Sequence, residues 1–361
     1  MGIKNMLKFL NTNYPQLIKK ISVNDFQGEK IAIDISILLY QVIIAIRNSG
    51  ADMMNQQGDV TSHILGLFNK TIILLKMNIL PIYVFDGKPP AFKEKVIQNR
   101  RNIKQRALNK LSDTELSESD KIKYFKRTVT ISKKQIDECK ELLTLMGIPY
   151  VMAPEEADSQ CAQLVKEGIA NSVLTEDMDI LTFGAGTIYR NLASYKKEQL
   201  KIDLSEILST LDLTYDQFIE LCILFGCDYT DKIIDVNPDT LYKYYHMNKN
   251  MNNTMIALYK NKIIQCNKTE KDISLICDNF HLYKDYFLNP PVQKNTTICF
   301  TKPNINELSK LLVSKYGLVK MKIQSKLNFL GMKQLSIPSY YEDDIVLPQN
   351  INLIKSPTAI I

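Results

Sequence analysis

Long apolar runs are missing from this chain of 361 residues. No stretch of about 18 consecutive apolar residues occurs, so the sequence predicts neither a transmembrane helix nor a membrane partner. Residues 1–6 also lack the apolar core of a secretory signal peptide. They do not fit the N-myristoylation pattern either, because Met6 stands where that pattern requires Ser or Thr.

Histidine is scarce, with three residues, and the seven cysteines are scattered without a Cys-x-x-Cys pair. Because zinc sites usually cluster Cys and His ligands at short spacing, we expect no zinc centre. An odd and dispersed set of cysteines is typical of reduced thiols, which predicts an intracellular protein. The formal net charge of +6 favours a polyanionic partner.

Two short stretches carry carboxylates that we expect to converge. Glu156 and Asp158 begin a predicted helix, with Pro154 in its first turn and apolar residues at helical spacing. Asp177 and Asp179 follow a short apolar segment that predicts a buried strand. In an open α/β sheet the ligand crevice lies beyond the carboxyl ends of the strands, which is where both pairs would fall.

Further acids fit the same scheme. Asp34 and Asp86 each end a predicted strand, and Asp228 follows an apolar helix. An Asp in such a place is usually a turn former or a helix cap, and that alternative stays open for each one taken alone. Clustered carboxylates, however, repel each other unless a cation neutralises them. Hard divalent ions take oxygen ligands, so the sequence predicts a Mg²⁺ site, at which Mn²⁺ can substitute.

The composition changes after Asp86. From Lys88 to Lys110 the chain has eight basic residues and one acid. Within that segment Lys93 and Arg100 are seven residues apart, so they share one face of a helix. A charged run is most often a solvated helical hairpin. Since this one directly follows an acid of the predicted crevice, we favour a cationic lid that binds phosphates.

Strand and helix patterns alternate up to about residue 230, which predicts a three-layer α/β fold with a mainly parallel central sheet. The basic segment is a helical insertion into this fold, and residues 232–330 have a helical pattern without clear strands. Tyr40 lies on the helix predicted after Asp34. It is either a core aromatic residue or a platform on which a nucleobase stacks.

Several of these segments resemble the motifs of flap endonucleases, within the structure-specific 5′-nucleases of the XPG type. The resemblance covers about residues 1–230 in order and spacing. The matching motifs are Met-Gly-Ile at 1–3, Ile-Ala-Ile-Asp at 31–34, Val-Phe-Asp-Gly-Lys-Pro-Pro at 84–90, Asp-Glu-Cys-Lys at 137–140, Leu-Met-Gly-Ile-Pro-Tyr at 145–150, Thr-Glu-Asp-Met-Asp at 175–179 and Gly-Cys-Asp-Tyr at 226–229.

The resemblance implies a PIN-like 5′-nuclease core and a Mg²⁺-dependent, structure-specific 5′-flap endonuclease. Such an enzyme cleaves branched DNA in replication and repair by two-metal phosphodiester hydrolysis, can also act as a 5′–3′ exonuclease, and leaves a 5′-phosphate. Asp158 stands where the family usually has Glu. The acids that match positions around the two Mg²⁺ ions are Asp34, Asp86, Glu156, Asp158, Asp177, Asp179 and Asp228.

Other residues match positions that contact DNA in the family. Lys93 and Arg100 match the two catalytic basic residues that steer the scissile phosphate. The remaining matches are Tyr40, the aromatic residue that stacks near the cleaved nucleotide, Gly2, the amino end near the active site, and Lys126 with Arg127, a basic pair that caps the helical arch.

One later segment departs from the family pattern. Residues 234–240, at the helix–two-turn–helix position, lack both family glycines, and Asp235 and Asp239 repel phosphates. Whether this segment forms the implied monovalent-cation site and binds the downstream duplex is therefore left open.

Further along the chain, a second segment resembles the sliding-clamp-binding box and is followed by an acidic flank. Its candidate residues are Gln334, Ile337, Tyr340 and Tyr341.

The implied partners are branched DNA with a 5′ flap and, through the tail, a sliding clamp. We expect a monomer that works at sites of DNA replication, in the nucleus or its equivalent. The implied parts are an N-terminal part of the nuclease core at 1–87, the basic helical arch at 88–131, the acidic part of the core at 132–230, a divergent helical region at 231–330 and a tail at 331–361.

Alternative functions remain open at this point. One is a sister 5′-nuclease: a duplex exonuclease, a bubble-cutting repair nuclease or a junction resolvase. Another is a non-catalytic DNA-binding scaffold with the same fold, although so many acids without metal would destabilise it. A ribonuclease with a similar acid-rich core is a third, which the basic arch and Tyr40 disfavour.

Overall fold

The computed structural model describes residues 2–113, 116–192, 197–229, 236–264 and 280–333. Its centre is a sheet of seven strands in the order β1-β7-β6-β5-β2-β3-β4. Strands β2 to β6 pair in parallel, whereas β7 is antiparallel to β6 and β1 is antiparallel to β7. The strands are β1 (Lys19–Lys20), β2 (Lys30–Asp34), β3 (Leu80–Phe85), β4 (Tyr150–Met152), β5 (Ser172–Leu174), β6 (Thr187–Arg190) and β7 (Leu200–Asp203).

Helices surround the sheet. Within the described part of the chain, none of them is both long and apolar enough to cross a bilayer. The helices are α1 (Met6–Asn13), α2 (Ile35–Ile46), α3 (Ser62–Lys76), α4 (Glu94–Leu111), α5 (Glu118–Arg127), α6 (Lys133–Met146), α7 (Ala157–Lys166), α8 (Asp179–Thr182), α9 (Leu204–Leu211), α10 (Tyr215–Phe225), α11 (Pro238–Asn248), α12 (Met251–Lys260), α13 (280–288), α14 (Ile305–Lys310) and α15 (Lys320–Lys333).

The sheet separates two apolar cores, which confirms the predicted three layers. Successive residues of a strand point to opposite faces. Ala32 and Val84 accordingly pack into one core with α1, α7 and α10, whereas Ile33 and Phe85 pack into the other with α2, α3 and α6. The central strands β2 and β3 are buried on both sides, which is why their sequences are mostly apolar.

Local capping residues mark both ends of helix α6. Ser132 caps α6 by accepting a hydrogen bond from the Gln135 backbone N–H at 3.2 Å, and the Gln135 side chain bonds back to the Ser132 N–H at 2.9 Å. Gly147 ends the helix with a φ of 73°, in the left-handed region that favours glycine. The chain then enters β4 and leads toward Glu156.

The prediction that Pro154 lies in the first turn of a helix is wrong. Helix α7 begins at Ala157, and Pro154 lies in the loop before it. That loop binds the segment after β3: the Gly87 N–H donates to the Glu155 carbonyl at 2.6 Å. A Cβ on Gly87 would stand 2.3 Å from the Pro154 carbonyl oxygen, so only glycine allows this approach.

Helices α4 and α5 pack against each other within the segment predicted as a basic arch, and we call this pair of helices the arch. Arg47, at the end of α2, anchors the end of α5. Its guanidinium bonds both oxygens of Asp52 at 2.8 Å, donates to the Phe125 carbonyl at 2.9 Å and lies 4.1 Å from the Phe125 ring centre. The arch is thereby fixed to the core at its second foot.

Candidate active site

Asp34 and Asp86 meet at the carboxyl ends of two neighbouring parallel strands. Asp34 is the last residue of β2 and Asp86 follows β3 directly. Ser36 joins them: its N–H donates to Asp34 Oδ1 at 2.7 Å and its hydroxyl donates to Asp86 Oδ2 at 2.6 Å. Asp34 therefore caps α2, as the alternative interpretation allowed, and also belongs to a larger acidic group.

Glu156 and Asp158 enter from the start of α7. Glu156 is the N-cap residue of that helix, and its Oε1 forms an ion pair with Lys93. Asp158 Oδ1 is buried and has no hydrogen-bond partner among the described residues. Burial raises the pKa of Asp158 well above its ordinary value, and the charges of Asp34 and Asp177 raise it further.

Asp177 and Asp179 follow β5. The Asp179 backbone N–H donates to Asp177 Oδ1 at 3.2 Å, so the Asp177 carboxylate is held against the backbone at Asp179. Asp179 Oδ1 is buried, and it too lacks a hydrogen-bond partner within the described ranges. Burial raises the pKa of Asp179 well above its ordinary value, and Asp177 and Asp228 add to the shift.

Two basic side chains face the acids from the first helix of the arch. Lys93 pairs with Glu156, and an Arg100 guanidinium nitrogen lies 2.7 Å from Asp228 Oδ2. Burial lowers the pKa of Lys93, but Glu156, Asp158 and Asp228 raise it by more. The ammonium group is therefore charged at neutral pH.

The predicted acids thus form one electrostatically coupled group. Burial raises the pKa of Asp34, and the charges of Asp86 and Asp177 raise it further. The acids at the ends of β2 and β3 therefore interact with the acid that follows β5. Four of the seven are buried, Asp158 and Asp228 are half-buried, and Asp86 is exposed. With Lys93 and Arg100 charged, seven carboxylates leave a formal charge of −7 + 2 = −5.

The donor set fits hard divalent cations. All seven groups offer oxygen, which Mg²⁺ and Mn²⁺ prefer, and two buried oxygens still lack a partner. As the side chains stand, no three Asp, Glu, His or Cys groups in the described ranges are close enough to hold one ion. Glu156 and Asp228 are turned toward Lys93 and Arg100 instead, so ion binding would have to rearrange these pairs.

Gly2 and Tyr40 lie beside the acids. A Cβ on Gly2 would stand 1.6 Å from Asp177 Oδ1. Tyr40 is 38% exposed, and its phenol lies near enough to Arg100 and Asp86 for both charges to affect its pKa, which burial raises. An aromatic ring half-open to solvent at this edge can stack on a base.

Lys126 and Arg127 end α5, at the second foot of the arch. The Lys126 ammonium donates to Asn48 Oδ1 at 2.8 Å, and the Arg127 guanidinium lies 5.8 Å from the Tyr124 ring centre. Both stand next to the Arg47 anchor and not in contact with the acids. They form a separate basic position on the same arch.

Parts of the predicted site fall outside the described residues. Residues 234 and 235 of the altered helix–two-turn–helix segment are among them. Asn237, just after that gap, caps α11 by accepting a hydrogen bond from the Asp239 N–H at 2.9 Å. The whole clamp-box candidate also lies there: Gln334, Ile337, Tyr340 and Tyr341.

Two tyrosine hydroxyls at the site were not singled out from the sequence. The Tyr229 hydroxyl donates to Glu156 Oε2, and the Tyr286 hydroxyl lies 2.9 Å from Glu155 Oε2 and 3.4 Å from Glu156 Oε2. Tyr229 lies next to Asp228, so its place in that motif was an available signal. Tyr286 is 130 residues beyond Glu156 and has no comparable signal.

Two family models match the chain. The XPG N-terminal domain matches residues 1–107, and the XPG I-region matches residues 147–228. The chain is also 38% identical over 335 residues to flap endonuclease 1 of Heterostelium pallidum, covering 90% of this chain and 84% of the relative. It is 35% identical over 344 residues to human flap endonuclease 1, covering 93% of this chain and 87% of the relative.

Solved structures are also similar to this chain. Flap endonuclease-1 from Methanococcus jannaschii is 30% identical, with a TM-score of 0.65 over 88% of this chain and 97% of that one. The catalytic core of Rad2 in complex with DNA substrate is 25% identical, with a TM-score of 0.68 over 91% of this chain and 100% of that one. The predicted fold class, a 5′-nuclease core with helical additions, is therefore confirmed.

Proposed function

The chain belongs to the flap endonuclease family, and on this premise we propose that it cleaves branched DNA at 5′ flaps with two divalent ions, Mg²⁺ in the cell and Mn²⁺ as a substitute. One observation carries the proposal. Seven carboxylates from five separate chain segments form one coupled group, and two cations of the arch face them. A phosphodiester hydrolase that works with divalent ions uses this combination of charges.

The metal-holding residues in this proposal are the seven acids. Divalent ions bound among them supply Lewis-acid stabilisation of the charge that develops on the scissile phosphate. Two such ions with Lys93 and Arg100 bring the formal charge of the group to −7 + 4 + 2 = −1. The ions therefore remove most of the repulsion that the folded chain otherwise sustains.

Lys93 and Arg100 hold and orient the phosphate. Both now pair with acids, at Glu156 and Asp228. If bound ions were held by these carboxylates, Lys93 and Arg100 would be free to pair with a DNA phosphate instead. Fixed positive groups at that point stabilise the transition state more than the ground state, because the phosphate gains charge as the bond breaks.

The arch, Tyr40 and Gly2 complete the DNA site. Tyr40 stacks on a nucleobase beside the cleaved bond, and Gly2 keeps the amino end close to Asp177 without a side chain in the way. Lys126 and Arg127 bind backbone phosphates at the far foot of the arch. The parts of the chain are a core at 1–87 and 132–230, the arch at 88–131, a helical region at 231–330 and a tail at 331–361.

The proposal also covers the oligomeric state, the cellular location and a protein partner. The protein acts as a monomer at sites of DNA replication, in the nucleus or its equivalent. The tail binds a sliding clamp through Gln334, Ile337, Tyr340 and Tyr341, whose apolar members would fill a pocket on the clamp. Binding of a tail peptide to a purified clamp, with Ile337→Ala as the comparison, tests this part separately.

Cleavage of a 5′-flap duplex by the purified protein tests the function. Wild type should cut next to the branch with MgCl₂, leave a 5′-phosphate, and do nothing in chelator. Asp177→Asn should lose the activity, whereas Asp216→Asn, at a surface acid paired with Lys284, should keep it. Cleavage that is absent from the wild type, or equal in Asp177→Asn, contradicts the proposal.

A substrate panel separates the flap enzyme from its relatives. Nicked and gapped duplexes, bubbles, four-way junctions and flaps of RNA are compared at equal concentration. The proposal expects the highest kcat/KM on the DNA flap. A higher value on the four-way junction or the blunt duplex would indicate a sister 5′-nuclease, and a higher value on RNA would indicate a ribonuclease.

A further inference from the structure

Four aromatic rings pack together behind Glu156, and we call them the aromatic cluster: Phe92, Tyr229, Tyr283 and Tyr286. The Phe92 ring centre lies 4.7 Å from that of Tyr286 and 4.9 Å from that of Tyr229, in edge-to-face geometry. Phe92 directly precedes Lys93 at the first foot of the arch. Tyr283 and Tyr286 come from α13, so the cluster joins the helical C-terminal region to the acidic crevice.

The two oxygens of Glu156 have different surroundings. Oε1 faces Lys93, and Oε2 accepts the hydroxyl of Tyr229. The Tyr286 hydroxyl lies 2.9 Å from Glu155 Oε2 and 3.4 Å from Glu156 Oε2, so its single hydrogen is shared between two consecutive carboxylates. Both phenols approach Glu156 on its Oε2 side, which leaves Oε1 facing Lys93.

We propose that Tyr286 is a positioning residue that fixes Glu156 for divalent-ion binding, an inference that rests on the proposed function. Its hydroxyl bridges the Glu155 and Glu156 carboxylates and eases their repulsion at the start of α7. Its ring, only 8% exposed, is held by Phe92 and Tyr229 and cannot turn away without disturbing the aromatic cluster. Groups that orient a metal ligand in this way typically change ion affinity when they are removed.

The test removes the hydroxyl and keeps the ring. Tyr286→Phe should weaken binding of Mg²⁺ or Ca²⁺ to the DNA-free protein by about 10-fold, measured by isothermal titration calorimetry. Tyr245→Phe is the matched control, because its buried hydroxyl donates at 2.9 Å to the buried carboxylate of Glu220, which is not one of the seven acids. That variant should bind the ions as wild type does. In cleavage, Tyr286→Phe should need more Mg²⁺ for half-maximal rate, with an unchanged KM for DNA at saturating Mg²⁺.

A double-mutant cycle shows whether the hydroxyl acts through Glu156. In a Glu156→Gln background, the further change Tyr286→Phe should have little effect on ion affinity. Tyr286→Phe keeps the ring in the aromatic cluster, so it should fold as wild type does, and thermal unfolding of the ion-free protein checks this.

Wild-type ion affinity in Tyr286→Phe, or an equal loss in Tyr245→Phe, would overturn the inference. The proposed function would survive that result, because wild type would still bind ions and cut flaps. If wild type itself neither binds ions nor cuts flaps, both proposals fall together.

Discussion

Gly2 lies against Asp177 so closely that a Cβ on Gly2 would stand 1.6 Å from Asp177 Oδ1. The φ of Gly2 is also positive, at 81°, which an L side chain rarely adopts. Gly2 is thus packed directly against the acidic group, where a side chain would not fit.

Gly2→Ala should lower kcat on a 5′-flap substrate by about 100-fold, because a displacement of about 1 Å at a catalytic group has that cost. The control is Gly28→Ala. Gly28 has almost the same φ, 80°, but a Cβ there would meet nothing within 4 Å. Backbone strain is therefore equal in the two variants, and only Gly2→Ala moves Asp177. Equal kcat in both variants would show that the close contact has no catalytic role.

Lys93→Ala should lower kcat by about 10²–10³-fold, the loss typical of one fixed transition-state donor. Arg101→Ala, at an exposed position on the same helix, should instead raise KM modestly and reduce its salt dependence. Steady-state kinetics at two salt concentrations separates these effects. A Lys93 variant that changes only KM would place this residue in general phosphate binding.

The stability of the ion-free protein should fall as the pH rises through the acidic to neutral range. Burial raises the pKa of Asp34, Asp158 and Asp179 well above the ordinary value of 3.8. Between that value and the raised pKa, the folded state binds more protons than the unfolded state, so these groups stabilise the fold less at higher pH.

Bound Mg²⁺ should reverse this trend, because the ions require deprotonated carboxylates. Thermal unfolding from about pH 5 to 8, with and without MgCl₂, measures both curves. The increase in Tm caused by Mg²⁺ should grow with pH and vanish at the acid end. If the curves of Tm against pH with and without MgCl₂ are parallel, the carboxyl groups with raised pKa values and the ions do not share a site. Asp179→Asn should flatten the ion-free curve.

Arg47→Ala should lower the free energy of unfolding by about 3 kcal/mol, because it leaves Asp52 as an unpaired, largely buried charge. The side chains of this pair are only 12% and 9% exposed. Lys121→Ala breaks the exposed pair with Glu118 on the same arch and should cost about 0.5 kcal/mol or less. Urea unfolding of both variants checks the difference. Equal midpoints would mean that Arg47 does not anchor the arch.

The acids could be predicted from the sequence because each follows a strong local pattern. The buried strands before Asp34 and Asp86 are continuous apolar runs, and the α/β rule that places such strand ends at one edge is general. The capping signals around α6 are equally local. The order and spacing of these motifs were enough to identify the family resemblance, because neither depends on tertiary contacts.

Other features could not be predicted, for physical reasons. Strand β1 is only Lys19–Lys20, two exposed charged residues that pair with β7, and nothing in that composition indicates a strand. Pro154 suits a helix start by propensity, but tertiary contact with Gly87 keeps it in a loop. The Tyr286 contact joins segments 130 residues apart, and only the fold brings them together.

The central claim is that acids from distant segments hold two divalent ions in one crevice. Anomalous diffraction from crystals soaked in MnCl₂ tests it most directly, because it locates each ion. We expect two Mn²⁺ peaks between the side chains of Asp34, Asp86, Asp177 and Asp228, with Lys93 and Arg100 turned away from their present acids. No peak in this crevice at saturating MnCl₂, with peaks only at surface carboxylates elsewhere, would contradict it.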